Sequence, residues 1–440
     1  MTLAEHMQMH PFQGYAYAYP HKMAYRHFDP ALALQPLWEY EDHDALFLYV
    51  HVPFCKMRCG FCNLFTTTNP EQDMVDAYLS AIERQMETVG DLLGEHRFAR
   101  GAFGGGTPTF LSESEIERLF AAVGKHLGAL TPGAPLSFEM SPETVTPEKM
   151  KLLVELGITR ASIGVQSFLL EETRFLGRPQ DPRQVATALD CIRAAGFRVL
   201  NLDLIYGAAN QTTTSWLHSL GEATRHFPEE IYLYPLYVRP LTGLDKLHRE
   251  PSDHREELYR VGRDFLVSRG YHQISMRLFR RAGVHAEAES GPVYCCQEDG
   301  MVGFGPGARS YTDSVHYSSE YAVGRSGIQE IIRDFDSRMT AQFAEADYGY
   351  LLDEHERRRR YIIKSLLRSS GLERRGYRAV FSTDAIEDFP ELRSLVEFGL
   401  AELTGKHLIL TPAGIGRSDT IGPWLFSEEM QSRIGQYELA

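Results

Sequence analysis

Three cysteines lie close together in the chain, at Cys55, Cys59 and Cys62. Thiolates at these spacings can curl around one metal cluster and ligate three irons of a four-iron cubane, which leaves the fourth iron open to an outside ligand. Zinc is the alternative, although structural zinc takes four protein ligands and no fourth Cys or His follows nearby. The spacing therefore favours an iron–sulfur cluster over a zinc site or a chance grouping of thiols.

The cysteine loop follows the first of six short apolar runs. Amphipathic segments of about a dozen residues or more separate the runs, a pattern typical of βαβ units around a parallel sheet buried on both faces. We therefore predict an α/β fold, a partial (β/α)6 TIM-like barrel, whose strand ends open onto one rim where such barrels place their chemistry. The predicted strands are 46–54, 100–106, 136–142, 160–168, 198–207 and 230–238.

Changes of pattern along the chain predict three parts. Residues 1–42 are rich in Pro, Tyr and His without a period, and we expect an N-terminal extension over the barrel. Residues 43–320 form the predicted barrel. Residues 321–440 are predicted as a small helical, winged-helix-like domain, with a helix over 385–402 followed by a strand pair in LAELTG and KHLILTP.

Composition narrows the class of protein. The net charge of −14 argues against a surface that follows phosphate backbones, so we expect no nucleic-acid partner. The basic run ERRRR at 356–360 is interpreted as a solvated helix face. Neither a membrane-spanning apolar run nor a signal-peptide pattern is present, which predicts a cytoplasmic protein without a membrane partner.

Six motifs carry a resemblance to a known family. They are YVHVPFC (49–55) leading into the cysteine loop, GGGTPT (104–109), FEMSPE (138–143), ASIGVQSF (161–168), LGRPQ (176–180) and NLDLIYG (201–207). In this order they resemble the oxygen-independent coproporphyrinogen III oxidase family of radical S-adenosylmethionine (SAM) proteins. The resemblance implies an enzyme in which Cys55, Cys59 and Cys62 hold a [4Fe–4S] cluster. Reduced by a donor such as flavodoxin or ferredoxin, the cluster cleaves SAM to a 5′-deoxyadenosyl radical that abstracts a substrate hydrogen.

The strand ends supply candidate residues for SAM. Gly105 and Gly106 offer backbone without side chains, although a plain tight turn is the alternative. Tyr49 matches a family position near SAM and is otherwise a core tyrosine. Glu139 could hold an ammonium or a ribose hydroxyl. Asp203 is a carboxylate in an apolar strand, which is costly to bury without a function or a partner.

Two further positions follow the fourth predicted strand. Gln166 ends that strand, and Arg178 could clamp a carboxylate or form a surface ion pair. Some family members hold a second SAM, which makes the cofactor count here one or two. The positions that match the second site are Phe61, Gly106, Thr107, Gln166, Arg178, Asp203 and Tyr237.

The chain departs from the oxidases at two positions. Leu64 stands where they carry a further Cys, and Arg309 stands where a small or apolar residue, or a histidine, is expected. We predict that Arg309 binds an anionic substrate or the second SAM, with an outward-pointing ion pair as the alternative. Cys295 and Cys296 are interpreted as small core residues, unless one of them faces the cavity and donates a hydrogen atom.

Three functions remain open from the sequence. The first is oxidative decarboxylation of the coproporphyrinogen type, acting on a tetrapyrrole or another anionic small molecule. The second is a radical methyltransferase or methylene transferase that uses a second SAM. The third is a haem-binding relative that is not an oxidase.

Overall fold

A computed structural model of the chain describes residues 1–16, 18–128, 130, 133–284 and 293–438. Its strands form one large sheet and two small ones. The strands are β1 Arg26–Ala33, β2 Leu46–Val52, β3 Phe54–Cys55, β4 Thr67–Thr68, β5 Phe98–Gly105, β6 Leu136–Met140, β7 Arg160–Gln166, β8 Val199–Tyr206, β9 Glu230–Pro235, β10 Tyr271–Gln273, β11 Leu278–Arg281, β12 Met301–Phe304, β13 Arg309–Tyr311, β14 Val315–Ser318, β15 Glu345–Leu351, β16 Leu372–Glu373, β17 Ala401–Leu403 and β18 His407–Leu410.

Helices connect these strands and form the C-terminal part. The α-helices are α1 Leu3–Gln8, α2 Leu34–Trp38, α3 Gln72–Leu93, α4 Glu113–His126, α5 Pro147–Glu155, α6 Leu170–Phe175, α7 Pro182–Ala195, α8 Thr213–Arg225, α9 Gly243–Lys246, α10 Arg255–Ser268, α11 Arg325–Ser337, α12 Glu354–Leu366, α13 Arg374–Phe381, α14 Ala385–Asp388, α15 Arg393–Glu397, α16 Pro412–Gly416, α17 Ser418–Trp424 and α18 Glu428–Gly435. Short 3-10 helices span Lys22–Ala24, Pro108–Phe110, Pro142–Thr144, Thr340–Ala344 and Pro390–Leu392. None of the described helices is long and apolar enough to cross a membrane.

The large sheet has the order β1-β15-β14-β13-β12-β2-β5-β6-β7-β8-β9-β11-β10. Its central strands, from β12 through β2 to β9, are all parallel, and antiparallel strands extend both ends. Each of the six predicted strands is present in this parallel block. Because β1 and β10 are separate edges, the sheet is an open, partial barrel, as expected.

Side-chain alternation separates the two faces of the parallel block. Phe103 stacks on Phe120 of α4 and on Phe138, with ring centroids 4.7 and 5.5 Å apart, so Phe103 and Phe138 face the outer helices. Successive side chains of a strand point to opposite faces. Gly104 and Glu139 therefore face the inside of the barrel, at the carboxyl ends of β5 and β6.

The N-terminal segment packs against other parts of the chain. Strand β1 pairs with β15 at the edge of the large sheet. Further upstream, the Gly14 amide donates to the Asp419 carbonyl at 3.2 Å, and the Thr420 hydroxyl donates to the Pro11 carbonyl at 2.9 Å. The large sheet thus includes strands from both sides of the predicted barrel limits, and the domain limits stay a prediction.

The C-terminal part contains the three-stranded sheet β16-β18-β17 among short helices, and the predicted strand pair is the antiparallel pair β17 and β18. The single helix predicted over 385–402 is wrong. Helix α14 ends at Asp388, and Phe389 has φ −131° and ψ 73°. Proline disfavours helical geometry in the residue before it, and residue 390 is Pro.

The prediction of a solvated ERRRR face is also wrong. Glu356 and Arg360 are buried. Arg360 donates to the Gln297 and Cys296 carbonyls at 2.7 and 3.1 Å, and Arg359 donates to the Leu425 carbonyl at 2.7 Å. These guanidinium groups bind backbone carbonyls of neighbouring segments, because helix α12 packs inside the molecule.

Candidate active site in the mouth of the open barrel

The cysteine loop is held to the barrel rim through Gly60. Its amide donates to the Leu176 carbonyl at 3.0 Å, and its carbonyl accepts from the Leu244 amide at 2.8 Å. A Cβ on Gly60 would lie 2.8 Å from the Leu176 carbonyl oxygen, so only glycine allows this approach. The loop is therefore positioned by the segments that follow β7 and β9.

The three thiols are brought into one region. Cys55 is buried, while Cys59 and Cys62 are half-buried. Burial, together with the nearby Cys62 and Cys59 thiols, raises the pKa of Cys55 to about 12, although the hydrogen bond from Thr107 acts in the opposite direction. Gathering thiolates is unfavourable without a cation. A bound metal removes that penalty by taking the deprotonated thiolate.

Three thiols suit a four-iron cluster, because three cysteines leave its fourth iron open. Within the described ranges, no three His, Cys, Asp or Glu side chains converge as ligands of one metal ion. A four-iron cluster attaches each cysteine to a different iron and needs no such convergence. Cys55, Cys59 and Cys62 are thus the residues that would hold it.

Two polar side chains contact the cysteine sulfurs. The Thr107 hydroxyl donates to Cys55 Sγ at 3.4 Å, and the Arg178 guanidinium donates to Cys59 Sγ at 3.7 Å. A second nitrogen of Arg178 donates to the Ser141 hydroxyl at 2.9 Å. Arg178 therefore joins the loop after α6, the end of β6 and the cysteine loop, and it is not a surface ion pair.

Gln166 lies close to Arg178. A Cβ on Gly164 would lie 2.7 Å from the Gln166 amide nitrogen and 3.2 Å from the Arg178 guanidinium, so Gly164 makes room for both groups. Gln166 has φ +67°, and the register of β7 with β8 shifts between Gly164 and Gln166. Such strain in a residue other than glycine costs about 1–3 kcal/mol and is typical of functional sites.

The glycine turn after β5 is packed on all sides. Cβ atoms would lie 2.8 Å from the Glu139 carboxyl carbon at Gly104, 2.5 Å from the His51 ring at Gly105, and 2.6 Å from the Phe54 carbonyl oxygen at Gly106. The amides of Gly105 and Gly106 donate to Glu139 Oε2 at 3.2 Å and to the Val52 carbonyl at 2.8 Å. Both amides therefore donate to groups of the protein itself.

Tyr49 and His51 form a hydrogen-bonded pair on β2. His51 Nε2 lies 2.8 Å from the Phe65 carbonyl, and Nδ1 lies 3.2 Å from the Tyr49 hydroxyl. Because a carbonyl can only accept, Nε2 carries the proton and Nδ1 accepts from Tyr49. Burial lowers the pKa of His51 to about 4, so the ring is neutral at physiological pH.

Glu139 of β6 and Asp203 of β8 both line the inside of the barrel, where the charge of Asp203 acts on Glu139. Burial and the neighbouring Asp203 charge raise the pKa of Glu139 to about 7, although the Gly105 amide partly offsets this rise. Burial also raises the pKa of Asp203 to about 6, while its hydrogen bond from Asn201 Nδ2 at 2.8 Å acts in the opposite direction. Protein atoms surround both carboxylates, yet each side chain keeps some solvent-accessible surface, because it lines the open interior of the barrel.

A buried ion pair below these carboxylates was missed from the sequence. Arg160 Nε lies 2.8 Å from Glu230 Oε2, and Arg280 Nε lies 2.9 Å from Glu230 Oε1. Arg160 also donates to the Ser137 hydroxyl at 2.9 Å. Charged residues at the starts of the apolar strands β7 and β9 were the available signal.

The remaining candidates lie around the rim. Phe61 packs against an apolar cluster that includes Leu176, Ile205 and Leu244. Tyr237 accepts from Arg277 at 3.1 Å and donates to Asp419 of α17. Arg309 lies on β13, with its guanidinium carbon 5.7 Å from the Tyr311 ring centroid. Its positive charge adds a smaller contribution to the lowering of the His51 pKa, which is caused mainly by burial.

The pair Cys295 and Cys296 is half-buried, not part of the core. Their thiols donate to the Gln297 side-chain oxygen at 3.3 and 3.2 Å. The interpretation as small core residues is wrong for both. Polar partners from the same segment satisfy the thiols in place of apolar packing.

Comparison with known proteins shows which families the chain is similar to. Residues 49–220 match the family model described as the radical SAM superfamily. Heme chaperone HemW of Bacillus subtilis is 31% identical over 269 residues, covering 60% of this chain and 70% of the relative. Oxygen-independent coproporphyrinogen III oxidase of Salmonella typhimurium is 27% identical over 433 residues, covering 93% and 91%. The structure of coproporphyrinogen III oxidase (HemN) from Escherichia coli superposes with a TM-score of 0.76 at 23% identity, over 89% of this chain and 92% of that one.

The open parallel barrel and the cysteine loop at its mouth define a radical SAM protein. Within that superfamily, the chain belongs to the oxygen-independent coproporphyrinogen III oxidase-like family, which also contains relatives named as heme chaperones. Its cofactors are those of the superfamily, a [4Fe–4S] cluster and SAM.

Proposed function

We propose that this chain is an enzyme that abstracts hydrogen from an anionic organic substrate, in a reaction of the coproporphyrinogen oxidase type. The observation that carries the proposal is Arg178, which contacts a cluster cysteine and lies beside Gln166 at the same rim. When bound to Cys55, Cys59 and Cys62, the cluster supplies the electron that cleaves SAM. A flavodoxin or ferredoxin is the proposed source of that electron.

The side chains around the loop would bind and orient SAM. Glu139 is the inward carboxylate next to the glycine turn, and in its ionised form it suits an ammonium group or a ribose hydroxyl. The backbone carbonyls of Gly105 and Gly106 could accept from the same ammonium. Tyr49, which holds His51 in place, would contact the same cofactor. Partial closure by the barrel walls excludes water and strengthens these contacts.

A second SAM is a further part of the proposal. Arg178 provides a cation for a carboxylate, and Asp203 provides an acceptor deeper in the barrel. Phe61 and Tyr237 offer rings at the rim. The complete proposed set is Phe61, Gly106, Thr107, Gln166, Arg178, Asp203 and Tyr237.

Two alternatives differ in what happens after SAM binds. In a methyltransferase or methylene transferase, the second SAM supplies a one-carbon unit. The other alternative is a protein that binds haem and catalyses no oxidation, and the relatives named heme chaperones suggest it. Leu64, which follows the cysteine loop and is 47% exposed, stands where the oxidases carry a further cysteine. This difference is the reason why the substrate need not be coproporphyrinogen III.

The test is an anaerobic incubation of reconstituted protein with SAM, dithionite and coproporphyrinogen III. Mass analysis would follow 5′-deoxyadenosine, S-adenosylhomocysteine and the loss of carboxyl groups. 5′-Deoxyadenosine with substrate decarboxylation supports the oxidase-type reaction. S-adenosylhomocysteine together with 5′-deoxyadenosine supports methyl transfer. Absence of SAM cleavage, together with haem binding in a separate absorbance titration with haem, supports the third function.

A further inference from the structure

A buried carboxylate follows β7 on the short helix α6. It belongs to Glu172, which is 2% exposed. Its Oε2 accepts from the Ser167 hydroxyl at 2.7 Å and from Gln211 Nε2 at 3.0 Å. Over the described ranges, Oε1 has no hydrogen-bond partner and the carboxylate forms no ion pair. Glu172 is therefore a buried acid that is held by neutral donors.

This arrangement is not what packing alone would require of Glu172. Burial of a carboxylate without a cationic partner costs free energy, whereas leucine or methionine would fill a similar volume without desolvating a charge. Proteins tolerate such local costs mainly where a group has a function. The hydrogen bonds that Glu172 accepts therefore indicate what it does.

These hydrogen bonds join three elements of the barrel rim. Ser167 follows Gln166, the residue with φ +67° that ends β7. Gln211 lies in the loop after β8, and its Oε1 accepts from the Gly207 amide at 2.7 Å. One carboxylate thus ties α6 to the carboxyl ends of both β7 and β8.

Helix α6 in turn positions two parts of the cluster site. The Arg178 amide donates to the carbonyl of Thr173, the neighbour of Glu172, at 2.8 Å. The Gly60 amide of the cysteine loop donates to the Leu176 carbonyl at 3.0 Å. The place of α6 therefore sets where the Arg178 side chain begins and where the cysteine loop is anchored.

The contact between Arg178 and Cys59 depends on this placement. The guanidinium donates to the sulfur at 3.7 Å, and a hydrogen bond weakens steeply when its geometry changes. Hydrogen bonds to the sulfurs of an iron–sulfur cluster help to set its reduction potential. A cationic donor stabilises the reduced cluster, which carries one more negative charge, so Arg178 should raise the potential.

We propose that Glu172 is a positioning residue, which holds α6 on the ends of β7 and β8 so that Arg178 stays against Cys59 and raises the reduction potential of the cluster. The inference rests on the proposed function, because the cluster supplies the electron for that reaction. It adds control of the electron supply by a residue that contacts neither the cysteines nor Arg178 through its own side chain.

The test is a redox titration of the anaerobically reconstituted full-length protein, without SAM or substrate. Electron paramagnetic resonance would follow the reduced cluster in wild type, Glu172→Met, Glu172→Gln, Arg178→Met and the double variant Glu172→Met/Arg178→Met. Glu171→Met is the matched control, because Glu171 is the exposed neighbour on the same helix. Iron analysis and circular dichroism would verify that each variant folds and holds its cluster.

We expect Glu172→Met and Arg178→Met each to lower the midpoint potential. At a fixed ambient potential, the ratio of reduced to oxidised cluster should fall about 10-fold, which is about 59 mV for a one-electron couple. Glu172→Gln should not lower the potential, because its amide oxygen can accept both hydrogen bonds. Glu171→Met should match wild type, and the double variant should be no lower than Arg178→Met, because both changes remove the same contact.

Two results would overturn the inference. If Glu172→Met and Glu172→Gln both raised the potential, the negative charge of Glu172 would act by itself, without positioning Arg178. If the shifts of Glu172→Met and Arg178→Met added up in the double variant, the two residues would act independently.

Ser167→Ala keeps the test decisive if Glu172→Met loses its cluster. It removes one of the two donors to the carboxylate and should lower the potential in the same direction, so an unchanged potential would count against the positioning role. Because the titration contains neither SAM nor substrate, failure of the proposed reaction would leave this result readable.

Discussion

Arg277 and Asp419 form an ion pair inside the molecule, with one guanidinium nitrogen 2.8 and 2.7 Å from the two carboxylate oxygens. Arg277 is 2% exposed and Asp419 is 1% exposed. The Tyr15 ring centroid lies 3.6 Å from the guanidinium carbon, so the N-terminal segment, the barrel and α17 meet at this pair. The same carboxylate fixes the Tyr237 hydroxyl at the rim.

Asp419→Asn should destabilise the protein by about 3–5 kcal/mol, because it leaves the Arg277 charge buried without its partner. Urea unfolding followed by circular dichroism measures the change. Asp91→Asn, at an exposed position of α3, is the control and should shift stability by less than about 0.5 kcal/mol. Equal stability of the two variants would show that Arg277 is solvated in solution.

Replacing Cys55, Cys59 and Cys62 together by Ala should abolish iron binding and SAM cleavage. Anaerobically reconstituted wild type should bind about four irons per chain, because three thiolates suffice for a cluster with one open iron. Iron analysis and visible absorbance measure the loss, with Cys191→Ala as a control that keeps the cluster. Stoichiometric zinc without iron in wild type would contradict the assignment.

Asp203→Asn should weaken SAM binding or turnover far more than it changes stability. The substitution removes a carboxylate whose pKa burial has raised, so folding loses little when the charge is lost. We expect about a 10-fold or larger loss in SAM affinity, measured by equilibrium dialysis, and an unfolding midpoint close to wild type. Normal SAM binding in a destabilised variant would make Asp203 structural.

Because of Glu139, the free energy of unfolding should decrease as pH rises. Its pKa is about 7 in the folded protein against 4.5 for the free group, so the folded state holds the proton longer. Its contribution is full below pH 4.5 and is lost as pH rises through about 7. Because the side chain faces accessible space, we expect an effect of about 1 kcal/mol, below the full conversion of the shift.

Glu139→Gln removes this contribution, so the stability of the variant relative to wild type should increase between about pH 5.5 and 8. Urea unfolding without SAM at both pH values measures the difference. Asp203 titrates in both proteins and largely cancels in the comparison. A difference that does not vary with pH would show that the Glu139 carboxyl titrates normally.

Local pattern was enough to predict the barrel. The period of the apolar runs indicates which residues face a core. The positions of glycines indicate where the backbone turns or comes close to other groups, and the spacing of the cysteines indicates which residues could bind one cluster. Six of the seven parallel strands were therefore predicted, as was the common rim that carries Cys55, Gly105 and Glu139. The prediction of one helix over 385–402 was wrong because the proline at 390 ends helix α14 at Asp388, although the apolar residues continue with a helical period.

By itself, the sequence determined the class of chemistry and the elements that carry it, because the cysteine spacing and strand periods are local properties. Only the tertiary structure decided which distant groups meet. Arg178 reaches Cys59, Lys22 lies against Tyr321, and Asp419 binds Arg277, although 119, 299 and 142 residues separate the partners along the chain. Such contacts depend on how whole elements pack, and charge or burial at one position does not specify its partner.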